Sequence, residues 1–398
     1  MSRFVINAIP FETRVAHDAR QILARDQARA KKLLAGLHPH GPAAFQSKRT
    51  EELGSEDSDT ARKSIDVTDA GIAYTVPVKV GNPPTEFAVL LDIGSTNTWV
   101  GADKEYRQTG TSQNTGKTID ISYGSGSFTG TEFTDQVTLG GNLFVKNQTI
   151  GVASSARGFS GVDGILGIGP ADLTTGPRAG PRTPSVTENL LVSGIVPTAS
   201  FGMAYHPTSK NVANGEITFG AADTAKFTGS INYVPITTTA PADQYWGIDL
   251  DLAYGADDIE LLKSAAGIVD SGTTLLLLAS DAFESYRLLI GAEADAATGL
   301  LTVTEDQFAD MESLFFMIGS ETYELTPNAQ IWPRGLNATI GGEEGKIYLI
   351  VADLGSPSGA GLDFINGFAF LQRFYTMYDT TNSRVGIAKT KFTNAEIN

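Results

Sequence analysis

One pattern occurs twice in this chain, and it constrains the fold more than any other feature. VLLDIGST at 89–96 is echoed by GIVDSGTT at 267–274, which places Asp92 and Asp270 178 residues apart. Each copy is an apolar run, then Asp, one residue, Gly and two hydroxyl residues. A second element follows each copy: GVDGILGIG at 161–169 and LDFINGFAF at 362–370. An internal duplication accounts for this arrangement, so the body is expected to form two β lobes. An Asp after an apolar run is expected at the end of a buried strand, with the Gly two positions on permitting a tight turn. Ser95, Thr273 and Thr274 can hydrogen-bond back to a carboxylate or to backbone.

From about Ile72 the texture fits this reading. Short alternating runs such as AYTVPVKV, EFAVLLD, SFTGTEFTDQVTL and RVGIAKT are separated by Gly- and Asn-rich turns. They predict a mostly β, largely antiparallel fold. The region before it differs. Residues 1–50 hold nine Lys and Arg against three acids, whereas the rest holds twenty bases and forty-two acids. A basic head on an acidic body suggests an arm that binds its own body. The acidic body repels phosphates and argues against a nucleic-acid partner. No apolar run reaches the roughly 18 residues that span a bilayer. Within the head, the apolar spacing from Val15 to Leu37 predicts a helix, with the arginines largely off the apolar face. Residues 39–63 read as a linker. The expected division is 1–63 as head and linker, 64–235 as the first lobe with Asp92, and 236–398 as the second with Asp270.

Cysteine is absent, which rules out disulfides and Cys-ligated metal. His206 is the only histidine of the body, so a His-based triad or a His-rich metal site is not expected. Two carboxyls brought close by a pseudo-twofold cannot both ionise easily, and they share a proton over an acidic range. The ionised member can take a proton from water while the protonated member donates to a carbonyl oxygen. No metal or organic cofactor is needed.

These motifs (LLDIGSTNTW, ISYGSGSFTG, GVDGILGIGP, GIVDSGTT and FINGFAFLQRFYTMYD) resemble the pepsin family of aspartic proteases, and most of all its fungal, polyporopepsin-like branch. The resemblance covers roughly residues 70–395. It implies a bilobal pepsin-like fold and an acid-active endopeptidase whose catalytic pair is Asp92 and Asp270. Ser95 and Thr273 are implied as outer donors to the carboxylates, and Gly94 and Gly272 as the residues that hold them coplanar. Tyr123 is similar to the flap tyrosine, with Gly124 and Ser125 offering backbone groups and Trp99 bonded to its hydroxyl. Leu90, Ile165 and Thr274 complete the substrate-binding candidates, and apolar groups near the pair imply a preference for hydrophobic residues at the cut bond. Ile165–Gly167 and Ile365–Gly367 match the segments threaded beneath the aspartates, where Asn366 replaces the usual Leu.

Ile93 stands where the family has Thr. It cannot make the hydroxyl bond across the pseudo-twofold, a loss on the order of 1–3 kcal/mol, so Ile93→Thr is expected to raise thermal stability. The head resembles a prosegment that fills the cleft at neutral pH, with Phe4–Ile6 as a strand and Lys48, Lys32 or His38 as candidates to cap the pair. Acid weakens its ion pairs, and removal is expected within residues 48–66. The implied partners are polypeptide substrates, the protein's own prosegment and pepstatin-like inhibitors, with no membrane, in a monomer. Asn147 and Asn337 open glycosylation sequons, which fits a secreted protein whose signal peptide is not in this sequence. A pepsin-fold binding or inhibitor protein of weak or no activity is the alternative. A glycosidase also uses paired carboxylates, but the duplicated Asp-x-Gly and the cationic head do not suit one.

Overall fold

The structure is a computed structural model, which describes residues 8–15, 22–36, 72–93, 97–122, 127–140, 143–159, 161–169, 184–205, 207 and 212–398. The elements that position the site are strand β1 (Ala8–Val15), helix α1 (Ile22–Leu34), β2 (Ile72–Val80), β3 (Thr85–Asp92), β4 (Trp99–Val100), β5 (Gly164–Gly167), β6 (Val212–Phe219), β7 (Ile259–Val269), β8 (Leu276–Leu278) and β9 (Phe364–Asn366). Strands dominate, as the alternating runs predict. In β2 the side chains of Val76, Val78 and Val80 are buried while Pro77 and Lys79 face out, the period of two expected of a half-covered strand.

Two large sheets carry the fold. The first joins thirteen strands of the described residues and runs from Thr228–Pro235 through Arg384–Lys389, Phe374–Asp379, Ser200–Tyr205, β6, β1, β2, β3, β5, β4 and Leu143–Arg157 to the hairpin Ser127–Gly140 and Gln113–Ser122. The second joins seven, from Glu321–Leu325 through Leu314–Ile318, Gly247–Tyr254, β7, β9 and β8 to Val351–Asp353.

The duplication seen in sequence reappears as topology. In one half β5 lies between β3 and β4, parallel to the first (Asp92 opposite Gly167) and antiparallel to the second (Trp99 opposite Ile165). In the other half β9 lies between β7 and β8, parallel to the first (Val269 opposite Asn366) and antiparallel to the second (Leu276 opposite Asn366). The threaded segments need close approach of two backbones. At Gly164 an added Cβ would strike the carbonyl of Trp99, and at Gly367 it would strike that of Leu275.

The head departs from its expected boundaries. The helix begins at Ile22, not Val15, because Val15 ends β1 and pairs with Ile72 of β2. Ladder bonds to β2 outweigh the local helical period there. The head's strand is Ala8–Val15, whereas Phe4–Ile6 lies outside the described residues. β1 runs antiparallel to β6 along Ala8–Arg14 and to β2 along Glu12–Val15. Among the described residues Pro10 pairs with β6 and not with β2, so its missing N–H leaves no gap in the β2 ladder.

The largest apolar cluster holds Ile22, Ala30 and Leu33 of α1 together with body residues such as Val76, Tyr245, Leu275 and Phe364. A second cluster joins Leu90, Trp99, Phe128, Phe159 and Ile165. Trp99 is stacked on Phe128 at 4.2 Å and meets Phe159 edge-on at 4.9 Å. Among the described residues no helix is long and apolar enough to cross a membrane.

Candidate active site

Both duplicated aspartates sit at strand ends. Asp92 closes β3, and its carbonyl accepts from the Ile168 amide at 2.9 Å. Asp270 follows β7, and its amide donates to the Asn366 carbonyl at 3.1 Å. The parallel partner of each strand thus holds the backbone on which the carboxylate stands. Asp92 is half-buried and Asp270 is 1% exposed.

Four bonds to the Asp270 carboxylate among the described residues suit its charged form. Oδ1 accepts from the Gly272 amide at 3.1 Å, and Oδ2 accepts from the Thr273 hydroxyl at 2.6 Å. These are two of the supporting residues expected from the sequence. Arg29 of α1 supplies a fork: Nε donates to Oδ2 at 2.7 Å and Nη2 to Oδ1 at 3.0 Å. Such bidentate guanidinium–carboxylate pairs are among the strong hydrogen bonds of proteins. The Arg29 side chain is 11% exposed. Its guanidinium lies over Gly272, where an added Cβ would come within 2.5 Å of Nη2.

The sequence candidates for this cap did not include Arg29. Lys48 and His38 lie outside the described residues, and Lys32 is one helical turn beyond Arg29 on the same helix. Arg29 escaped notice because the apolar period placed the arginines on the outer face. Its position beside buried Ala30, three residues after buried Asp26, was the available signal.

Asp26 was likewise not anticipated. It lies on the buried face of α1, 1% exposed, and its Oδ2 accepts from the amides of Thr274 at 3.0 Å and Leu275 at 2.8 Å. Burial pushes its carboxyl up to about 7, against the two amide bonds and Arg29, which hold it down. Other bonds seat α1 on the same half of the body. The Tyr245 hydroxyl donates to the Leu33 carbonyl at 3.0 Å, and Gln27 Nε2 donates to the Asp353 carbonyl at 2.9 Å. Burial raises the Tyr245 phenol above its ordinary range.

The duplicated loops and their carboxylates match one family of enzymes. The model of the eukaryotic aspartyl protease family fits residues 73–390. The chain belongs to the eukaryotic aspartyl proteases. Polyporopepsin of Irpex lacteus is 55% identical over 342 residues, which cover 85% of this chain and all of that protein. Cathepsin E-A of Xenopus laevis is 30% identical over 334 residues, 80% of this chain and 79% of that one. The crystal structure of an aspartic proteinase from Irpex lacteus superposes with a TM-score of 0.75 at 55% identity, covering 82% of this chain and 96% of the other. The bilobal pepsin-like fold expected from the sequence is thereby established, and this aspartyl protease is an aspartic-type endopeptidase, a hydrolase of polypeptides.

Other expected site residues of the protease divide as follows. Leu90, Ile165 and Trp99 come together in the second apolar cluster, beside Phe128 of the hairpin strand Ser127–Gly140. Thr274 is buried, with its amide given to Asp26. Gly94, Ser95, Tyr123, Gly124 and Ser125 lie outside the described residues, so the expected Trp99–Tyr123 bond does too. Asn147 is exposed. Asn337 is 2% exposed, and its amide donates to the carbonyls of Glu343 and Lys346 at 2.9 and 2.8 Å. That burial argues against a glycan on Asn337, a property that a three-residue sequon cannot encode. Ile93 is 3% exposed within the largest apolar cluster.

Proposed function

We propose that this aspartyl protease is an acid-activated zymogen whose catalytic pair is Asp92 and Asp270 and whose first 63 residues are the inhibitory prosegment. The observation that carries this reading is the Arg29 fork on Asp270. A carboxylate whose two oxygens are engaged by a guanidinium cannot also orient and deprotonate water. The helix that carries Arg29 lies within the basic head, and the strand before it is inserted between β6 and β2. The lobes are taken as residues 64–235 and 236–398.

With α1 gone, the two carboxyls share a proton. The ionised one takes a proton from a water molecule, whose oxygen attacks the peptide carbonyl carbon. The protonated one donates to the carbonyl oxygen, giving a neutral tetrahedral diol. Collapse of the diol breaks the C–N bond, with a proton passed to the leaving amine and one returned to the pair. Thr273 and Gly272 keep the Asp270 carboxylate oriented through this cycle. The apolar cluster of Leu90, Trp99, Phe128, Phe159 and Ile165 supports a preference for hydrophobic residues at the cut bond. Tyr123, Gly124, Ser125, Gly94 and Ser95 are assigned the flap and support roles of the family. Secretion and a glycan at exposed Asn147 complete the reading.

The test is to bring the full chain from pH 7 to about pH 3.5 and follow its mass and its cleavage of a peptide, with and without pepstatin. Loss of about 50–65 N-terminal residues accompanied by pepstatin-sensitive cleavage is expected, since linker segments are where processing concentrates. A chain that stays whole and silent in acid would refute the acid-activated zymogen.

A further inference from the structure

The Arg29 fork explains how the cleft is blocked but leaves Asp26 without a task. A carboxylic acid on the apolar face of an inhibitory helix costs more than almost any other residue there, unless it holds something. It holds the amides of Thr274 and Leu275, four and five residues past Asp270. Its other oxygen, Oδ1, is buried with no hydrogen-bond partner among the described residues. Charged neighbours come from each side: Arg29 on its own helix and Asp270 on the body, with the Tyr74 phenol of β2 also in electrostatic reach. Of the charged groups among the described residues that act on Asp26, an ionised Asp26 would meet one like charge, Asp270, and one opposite charge, Arg29, which is already committed to Asp270.

Resting on the zymogen reading above, we propose that Asp26 is a proton-loaded latch. Its neutral carboxyl group fastens α1 to the Thr274–Leu275 amides, so α1 is held more tightly in mild acid than at neutral pH and lets go only when Asp270 itself takes up a proton. The latch opposes early release and narrows the pH range over which the zymogen opens. The direction of the Asp26 shift agrees. A carboxyl raised from 3.8 to about 7 by burial binds a proton together with docking. Its contribution to docking is complete below about 3.8 and is lost as pH rises through 7.

The experiment uses the full chain carrying Asp92→Asn, so that it cannot process itself. Hydrogen exchange of the amides of 22–34, corrected for the intrinsic rate at each pH, gives the opening constant of α1. In this parent the opening constant rises about 10- to 100-fold from pH 5 to pH 7, as release of one linked proton requires. Adding Asp26→Asn, which keeps an acceptor for both amides but cannot ionise, flattens that rise to less than about threefold. Adding Asp26→Ala opens the helix at every pH. A parent whose helix tightens from pH 5 to 7, or an Asp26→Asn slope equal to the parent's, overturns the latch while α1 remains a plug. A helix open at every pH in the parent overturns the plug and the latch together.

Discussion

Replacing Arg29 by Met gives the sharpest test of the inhibitory contact. The substitution keeps an unbranched stem of similar reach over Gly272 and deletes the fork that holds both oxygens of Asp270. Removing one member of a buried pair costs about 3–5 kcal/mol. Asp270 is fully enclosed, but the 11% of the Arg29 side chain that meets solvent lowers the figure, to about 2–4 kcal/mol. The docking equilibrium of α1 then shifts by about 30- to 1,000-fold toward the open form. The assay is initial hydrolysis of a quenched fluorescent peptide at pH 6, with mass spectrometry confirming an uncut chain over the first minutes. Arg29→Met is expected to raise this activity at least about 30-fold over the parent, and pepstatin is expected to abolish it. Arg29→Lys retains a point charge without the fork and is expected to fall between the two. An Arg29→Met chain that is as silent as the parent and shows the same protection of 22–34 would refute the argument that this bond closes the site.

Three further outcomes follow from the same geometry. Gly272→Ala places a Cβ within 2.5 Å of Arg29 Nη2, so hydrogen exchange in α1 is expected to quicken about 5- to 150-fold, from a cost of about 1–3 kcal/mol typical of overpacking; unchanged exchange would mean that Arg29 does not lie there. For Ile93→Thr, burial in the main apolar cluster offsets the rise expected from the sequence. About 1.6 kcal/mol of apolar burial is lost against a regained hydroxyl bond worth about 1–3 kcal/mol, so calorimetry should find the midpoint within a few degrees of the parent's, and a larger rise would contradict the packing. In a eukaryotic secretion host, Asn147→Gln is expected to remove one glycan mass, whereas Asn337→Gln leaves the glycan mass alone and lowers stability by about 1–3 kcal/mol through its two lost carbonyl partners.

The duplicated Asp-x-Gly turns made the strand ends legible because the signal is local: an apolar run that stops at an acid can end a buried strand in few other ways. The threaded segments Ile165–Gly167 and Ile365–Gly367 were legible through the family resemblance, and the structure adds why their neighbouring glycines are needed: two backbones pass too close for a Cβ. The contacts of α1 were not. Helical periodicity sorts residues into inner and outer faces, but Arg29 lies on the border between them, and only the position of the body determines that this border meets Asp270. Asp26 was counted as one of three acids in a basic head, although its place between Ile22 and Ala30 put it on the buried face. Asn337 shows the opposite failure. Its triplet reads as a surface signal, but the fold folds it inward against two carbonyls.

The position of β1 has a consequence for what processing uncovers. It is an interior strand, laddered to β6 on one side and β2 on the other, yet it belongs to the part of the chain that the zymogen reading discards. On that reading, its departure frees the facing edges of β6 and β2, whose backbone amides and carbonyls then need a new strand or water as partners.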